Sequence, residues 1–106
     1  MTKRKHTPGP WFRNIKPASK YNTVWADRNT HVAHVERSGL TEEEIEGNIN
    51  LIAAAPELLK ELILTRDWLR HIRTRLDKIP YTVQLGFDQA DKALSGVISK
   101  AEGGAA

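Results

Sequence analysis

The chain has 106 residues and a mass of 11.9 kDa, enough for one domain with a modest core. Forty per cent apolar and 27 per cent charged residues is ordinary globular composition, which indicates neither disorder nor a fibrous repeat, and the lack of any cysteine excludes disulfides and thiolate metal sites. The formal net charge of +3 is unevenly spread: residues 1–20 carry Lys3, Arg4, Lys5, Arg13, Lys16 and Lys20 and no acid, whereas residues 41–46 hold four glutamates.

No secretory signal is readable, since MTKRKHTPGP has basic residues without an apolar stretch behind them. The apolar runs LIAAA and LILT are far short of the roughly 20 residues that span a bilayer. A soluble, cytoplasmic protein is expected, with no membrane partner.

Residues 1–9 form a basic lead-in. In HTPGPWF, Pro8 and Pro10 cannot join a central ladder, so they suit an extended approach to a sheet edge, and Gly9 lets that approach bend. Trp11 then covers one end of the sheet, with its indole N–H within reach of a carbonyl. The alternative use of Trp11 is as a stacking platform for a base.

Three short strands are predicted at 11–16, 21–26 and 31–36, within a meander over 10–37. Tyr21, Thr23 and Trp25 share one face, Asn22, Val24 and Ala26 the other, and DRNT makes the second turn. His31 and His34 point to opposite faces of a strand, which argues against a metal site.

A helical region is expected over 41–102. Leu40-Thr41-Glu42-Glu43-Glu44-Ile45 has the form of a capping box, Thr41 and Glu44 exchanging bonds, and Ile45, Ile49 and Ile52 make an apolar stripe. Pro56 disfavours helical geometry at Ala55, so a break or sharp kink is expected there. Beyond it Leu58, Leu62, Thr65, Leu69, Ile72, Leu76 and Ile79 follow a 4-3 repeat, and after Pro80 so do Val83, Phe87, Ala90, Leu94, Val97 and Ala101. Two stripes of equal period predict an antiparallel helical hairpin. The fold class is therefore α+β: a three-stranded antiparallel meander, a short capped helix and a long hairpin, in a single domain.

Two further groups lie off the stripes. Leu64, Trp68 and His71 fall on one flank, which either the meander covers or an interface with a second copy of the chain does, a ligand pocket being the remaining use. Arg66, Arg70 and Arg73 fall on the opposite flank, where guanidinium groups match phosphate; the bland alternative is a solvated face offset by Asp67 and Asp77. There is no GxSxG elbow, phosphate-cradling glycine loop, helix-turn-helix or zinc signature, so neither catalysis nor a cofactor is indicated.

TPGPW, VWADRNTHVAHV, GNINLIAAAPELLKEL and ALSGVISKAEG together resemble a widespread group of small phage and prophage proteins of unassigned function. The shared pattern is a TPGPW opening, a strand–turn–strand, an N-x-LIAAAPELL helix and a variable C-terminal helix, covering some two-thirds of this chain. The sequence departs from it by using Asp27-Arg28-Asn29-Thr30 in place of a glycine turn, and Ile49 in place of an alanine. The resemblance transfers no catalytic residue. It implies work in the host cytoplasm as a counter-defence binder. The expected mechanism sequesters a cyclic or other signalling nucleotide, its base stacked on Trp11 or Trp25 and its phosphate held by Arg13, Arg66, Arg70 and Arg73, in a homo-oligomer. The alternatives are an inhibitor that docks on a host defence protein through Leu64 and Trp68, and a regulator that binds nucleic acid through the basic N-terminal groups, weakly supported at a net +3.

Overall fold

The structure is a computed structural model that describes residues 6–13 and 22–103. The basic residues Lys3, Arg4, Lys5, Lys16 and Lys20, together with Pro17, Tyr21 and the last three residues of the tail, lie outside the described residues. Strands β1 (Phe12–Arg13), β2 (Thr23–Asp27) and β3 (Thr30–His34) precede helices α1 (Glu42–Thr74) and α2 (Tyr81–Ala101). The chain divides into two units, Met1–Leu58 and Leu59–Ala106. The α+β class and the order of its parts are as the sequence predicts.

In the first unit the strands form an antiparallel sheet in the order β1-β2-β3. Phe12 pairs with Trp25 and Arg13 with Val24; on the other side Thr23 pairs with His34 and Val24 with Ala33. The ladder shifts on both sides of Trp25. The β2–β3 turn is fixed by one carboxylate. Asp27 accepts the Asn29 backbone N–H at 2.8 Å and the Thr30 hydroxyl at 3.1 Å, an Asx arrangement that a glycine-free turn can use. These bonds hold the Asp27 carboxyl below its ordinary range, the backbone bond from Asn29 contributing most.

Val24, Val35, Ile45 and Ile49 make the core beneath this sheet, with Trp11, Val32, Ala33, Ile52 and Ala53 packed around it. Burying side chains of this size contributes about 1.5–3 kcal/mol each. Ile49 is completely buried. The predicted Ile45–Ile49–Ile52 stripe is thus the helix's contribution to the core.

The turn before α1 bonds Leu40 N–H to the Arg37 carbonyl at 3.1 Å, with Gly39 at φ 75°. A left-handed residue is what the third position of such a turn demands. Helix α1 then begins with the predicted capping box: Glu44 N–H donates to Thr41 Oγ1 at 3.1 Å, and Thr41 N–H donates to Glu44 Oε1 at 3.0 Å.

The expected break at Pro56 does not occur. Helix α1 runs through it as one 33-residue element, so the short capped helix and the first arm of the hairpin are a single helix. Proline in a helix costs one N–H bond and crowds the carbonyl four residues back. Here the preceding Ala53-Ala54-Ala55 is strongly helix-forming, and the proline ring has a packing partner. A Cβ placed on Gly9 would lie 2.5 Å from the Pro56 Cβ, so only glycine permits this approach. The peptide between Gly9 and Pro10 is cis.

Helix α1 stops at Thr74, earlier than the repeat suggests. Thr74 Oγ1 donates to the His71 carbonyl at 2.7 Å, and the Arg75 and Leu76 N–H groups bond three residues back, tightening the last turn. Leu76 and Ile79 therefore belong to the connection. Pro80 caps α2, its carbonyl accepting from the N–H groups of Val83 and Gln84.

In the second unit, α2 returns antiparallel to residues 59–74 of α1. Arg73 bonds Asp88 and Arg70 bonds Asp91, so a three-residue step back along one helix matches a three-residue step forward along the other. The inward positions differ from those expected. Leu62, Arg66, Leu69 and Arg73 face Gln84, Phe87, Asp91, Leu94, Ser95 and Ile98, and Thr65, Val83, Val97 and Ala101 are exposed. Each predicted stripe is turned partly out of the seam: Leu62, Leu69, Phe87 and Leu94 stay in it, the other members lie to one side, and the ion pairs run along it.

Candidate functional site

The proposed ligand groups fall into both units. Trp11, Arg13 and Trp25 belong to the first; Arg66, Arg70 and Arg73 belong to the second.

Trp11 is half-buried, its ring packed on the sheet–helix core, and its indole N–H donates to the Thr7 carbonyl at 3.2 Å. This is the carbonyl contact expected from the sequence, and it closes the TPGPW segment on itself. Trp25 is also half-buried; its N–H donates to Thr23 Oγ1 at 2.9 Å and its ring tilts against His31, with centroids 4.9 Å apart. Both indoles cover structure of their own unit.

Arg13 is clamped. Its two terminal nitrogens bond Glu46 at 2.7 and 3.0 Å, and one of them also bonds Asn50 Oδ1 at 2.6 Å. Glu46 and Asn50 stand four residues apart on α1, hence one above the other, which matches the guanidinium fork. The hydrogen bond that Arg13 donates to Glu46 raises the Arg13 pKa and lowers that of Glu46. The pair ties β1 to α1.

The arginine flank is paired as well. Arg70 bonds both oxygens of Asp91 and reaches Ser95 Oγ at 3.2 Å; Arg73 bonds Asp88 at 2.6 Å; Arg66 bonds its neighbour Asp67 at 3.2 Å. The hydrogen bond to Asp91 raises the Arg70 pKa, and Arg70, aided by Ser95, holds the Asp91 carboxyl below its usual range. Asp67 serves as expected, but the main counter-charges come from Asp88 and Asp91 on α2. Their three-residue spacing mirrors that of Arg70 and Arg73, a signal present in the sequence once the helices are taken as antiparallel. Beside these pairs lies a concavity of about 210 Å³ lined by Leu69, Phe87 and Lys92 as well as the two arginines and two aspartates. It brings Arg70 and Arg73 together with an aromatic and a lysine that sequence reasoning did not single out.

Leu64, Trp68 and His71 do form one surface. At about 100° per residue they project to the side of α1 opposite Arg66 and Arg73, and so away from α2. Trp68 is 60% exposed and Leu64 51%. The His71 ring stacks on Trp68 at 26° and 5.9 Å, which fixes the indole's lie on the surface.

No helix among the described residues is long and apolar enough to cross a membrane. The family model described as Salmonella phage P22 protein Y8K6 matches residues 1–105, and the chain belongs to that family. No curated protein and no solved structure matches it.

Proposed function

We propose that this phage-family protein is a non-catalytic binding protein that docks on a host protein through the Leu64–Trp68–His71 surface, with a component of host defence as the target. The exposed Trp68, braced by His71, carries this reading. A tryptophan left in water gives up a large apolar burial, and aromatic anchors of this kind dominate protein interfaces. Glu61, Asp67 and Arg75 supply a charged rim. The defence role rests on the company that small accessory phage proteins keep, which is association rather than geometry.

A second reading has the protein sequester a phosphate-containing signal nucleotide. It is favoured by the concavity in which Arg70, Arg73 and Lys92 meet Phe87. It ranks second because both guanidinium groups already hold aspartates, so an incoming phosphate must displace Asp88 and Asp91. The space is also below the roughly 300 Å³ at which small-molecule sites usually begin.

One paired experiment separates the two. Tagged wild-type protein and Trp68→Ala are used to capture partners from host lysate, while a thermal-shift panel tests cyclic di- and trinucleotides, cyclic ADP-ribose isomers, mononucleotides and a DNA duplex at two salt concentrations. The docking reading expects a host protein retained at least tenfold better by the wild type than by the variant. Equal retention removes the Trp68 surface. A nucleotide at 100 times its dissociation constant adds about 2.7 kcal/mol, and a matching rise in melting temperature abolished by Arg70→Ala moves the nucleotide reading to the front.

A further inference from the structure

The helical hairpin of the second unit has one side that its own helices do not close. In an antiparallel pair, the residue just before an inward position on either helix turns to the same side of the seam. Thr65 and Ile72 precede Arg66 and Arg73, and Val83, Ala90 and Val97 precede Gln84, Asp91 and Ile98. The two 4-3 stripes therefore lie side by side on a single face. The opposite flank of the seam carries Asp67, Thr74, Lys92 and Ser99 and is polar.

This face is open. Ile98 is the one buried hydrophobic residue of the unit among those described, whereas Val83 and Val97 are 42% and 55% exposed. Leu69, Phe87 and Leu94 are only half-buried. Two helices of this length with so little enclosed are half of a bundle, since a helical layer is stable when its apolar side meets a second layer.

We infer that the missing layer is the same face of a second copy, giving a two-fold dimer whose centre is a four-helix bundle. Two observations select this occupant. The stripes hold no charged residue from Thr65 through Ala101, so opposing the face to itself sets no like charges together. The area is also sufficient. Helix α2 has 21 residues, about 31 Å, and the α1 arm from 59 to 74 is about 24 Å at about 1.5 Å each; at about 10 Å width apiece the face is about 550 Å² per copy and about 1,100 Å² in all. That clears the roughly 1,000 Å² expected of a biological interface. The equal 4-3 period of both helices lets side chains interdigitate under a two-fold axis. The face is distinct from the Leu64–Trp68–His71 surface, which points away from α2, so the dimer stands whether or not that surface docks a host protein.

The test is the mass of the full chain in solution, by light scattering and sedimentation equilibrium over a hundredfold range of concentration. The wild type is expected at twice the 11.9 kDa of one chain. Val83→Glu/Val97→Glu, two changes at exposed positions, is expected to give a folded monomer by circular dichroism, and Trp68→Ala to remain a dimer. Because the chain lacks cysteine, Ala90→Cys supplies a unique thiol on the face, which a short bis-maleimide should cross-link between copies while Gln89→Cys, on the outer side of α2, is not linked. A wild type of single-chain mass at every concentration overturns the inference. So does an assembly that dissociates with Trp68→Ala but survives Val83→Glu/Val97→Glu, and so does cross-linking at position 89 without cross-linking at position 90. Should the double glutamate variant not fold, the wild-type mass and the two cysteine variants decide.

Discussion

The two units solve the same problem with opposite means. The first closes its core: four hydrophobic residues from two strand-bearing segments and one helix are fully enclosed, and the partly exposed Trp11 seals the edge. The second closes its seam with charge. Arg70–Asp91 and Arg73–Asp88 hold the helices in register while part of the apolar repeat lies to one side. Exposed ion pairs contribute little to stability, but they are directional, so they fix register without demanding burial. A helical hairpin that pairs its polar groups with one another leaves apolar residues such as Val83 and Val97 exposed.

This comparison breaks most easily in the first core. Ile49→Ala is expected to cost about 2–5 kcal/mol, the range for removing a buried isoleucine, and to move the urea midpoint accordingly. Leu94→Ala, at a half-buried position on the open face, should cost distinctly less in dilute protein. If the two losses are equal, the second unit is as enclosed as the first.

The next effect comes from the contact between the TPGPW segment and the LIAAAPELL stretch of α1. TPGPW and LIAAAPELL meet where Gly9 lies against Pro56. Gly9→Ala is expected to destabilise by about 1–3 kcal/mol, as overpacking does. The nearest atom is the Pro56 ring's Cβ, which alanine also carries, so most of the cost should persist in a Pro56→Ala background. Relief in that background would assign the clash to the ring's Cγ instead. Smaller still is the cap: Thr41→Ala removes one half of the capping box and should lower stability by about 1 kcal/mol. An unchanged melting temperature would mean that α1 is anchored by packing alone.

Much of this fold is legible in the sequence, for reasons that are local. The capping box, the meander, the helix restart after Pro80 and the carbonyl bond of Trp11 each depend on residues a few places apart. Pro56 was not legible as a helix interior, and its packing partner Gly9 lies forty-seven positions away, where no local pattern announces the contact. The rotation of the hairpin was hidden for a related reason. An apolar repeat announces that a face is buried without saying by what, and Arg66, Arg70 and Arg73 read as a ligand flank until Asp88 and Asp91 are seen opposite. Arg13 shows the same limit: its partners Glu46 and Asn50 are spaced for it on a helix, yet nothing in the sequence says that β1 crosses that helix.

Acid should dissolve the charged seam and the clamp of the first unit through the same carboxylate chemistry. Asp91, Glu46, Glu44 and Asp27 all have folded pKa values below their ordinary ones, each by hydrogen bonds to the ionised form. Between the lowered and the ordinary value the unfolded chain binds more protons than the folded one, so falling pH favours unfolding. The stabilisation is complete above the ordinary carboxylate range and is lost as pH drops through the lowered values. Arg13 and Arg70, whose pKa values are raised, stay protonated throughout and add nothing to the slope. Urea midpoints should therefore be flat near neutrality and fall in acid. Asp91→Asn isolates the seam: its curve should start slightly below that of the wild type at neutral pH and meet it in strong acid, where position 91 is uncharged in both. Added salt should narrow the neutral gap, because this pair is exposed to solvent. Curves that run parallel at every pH would show that Asp91 acts through shape rather than charge, and the seam would then owe its register to Phe87, Leu94 and Ile98.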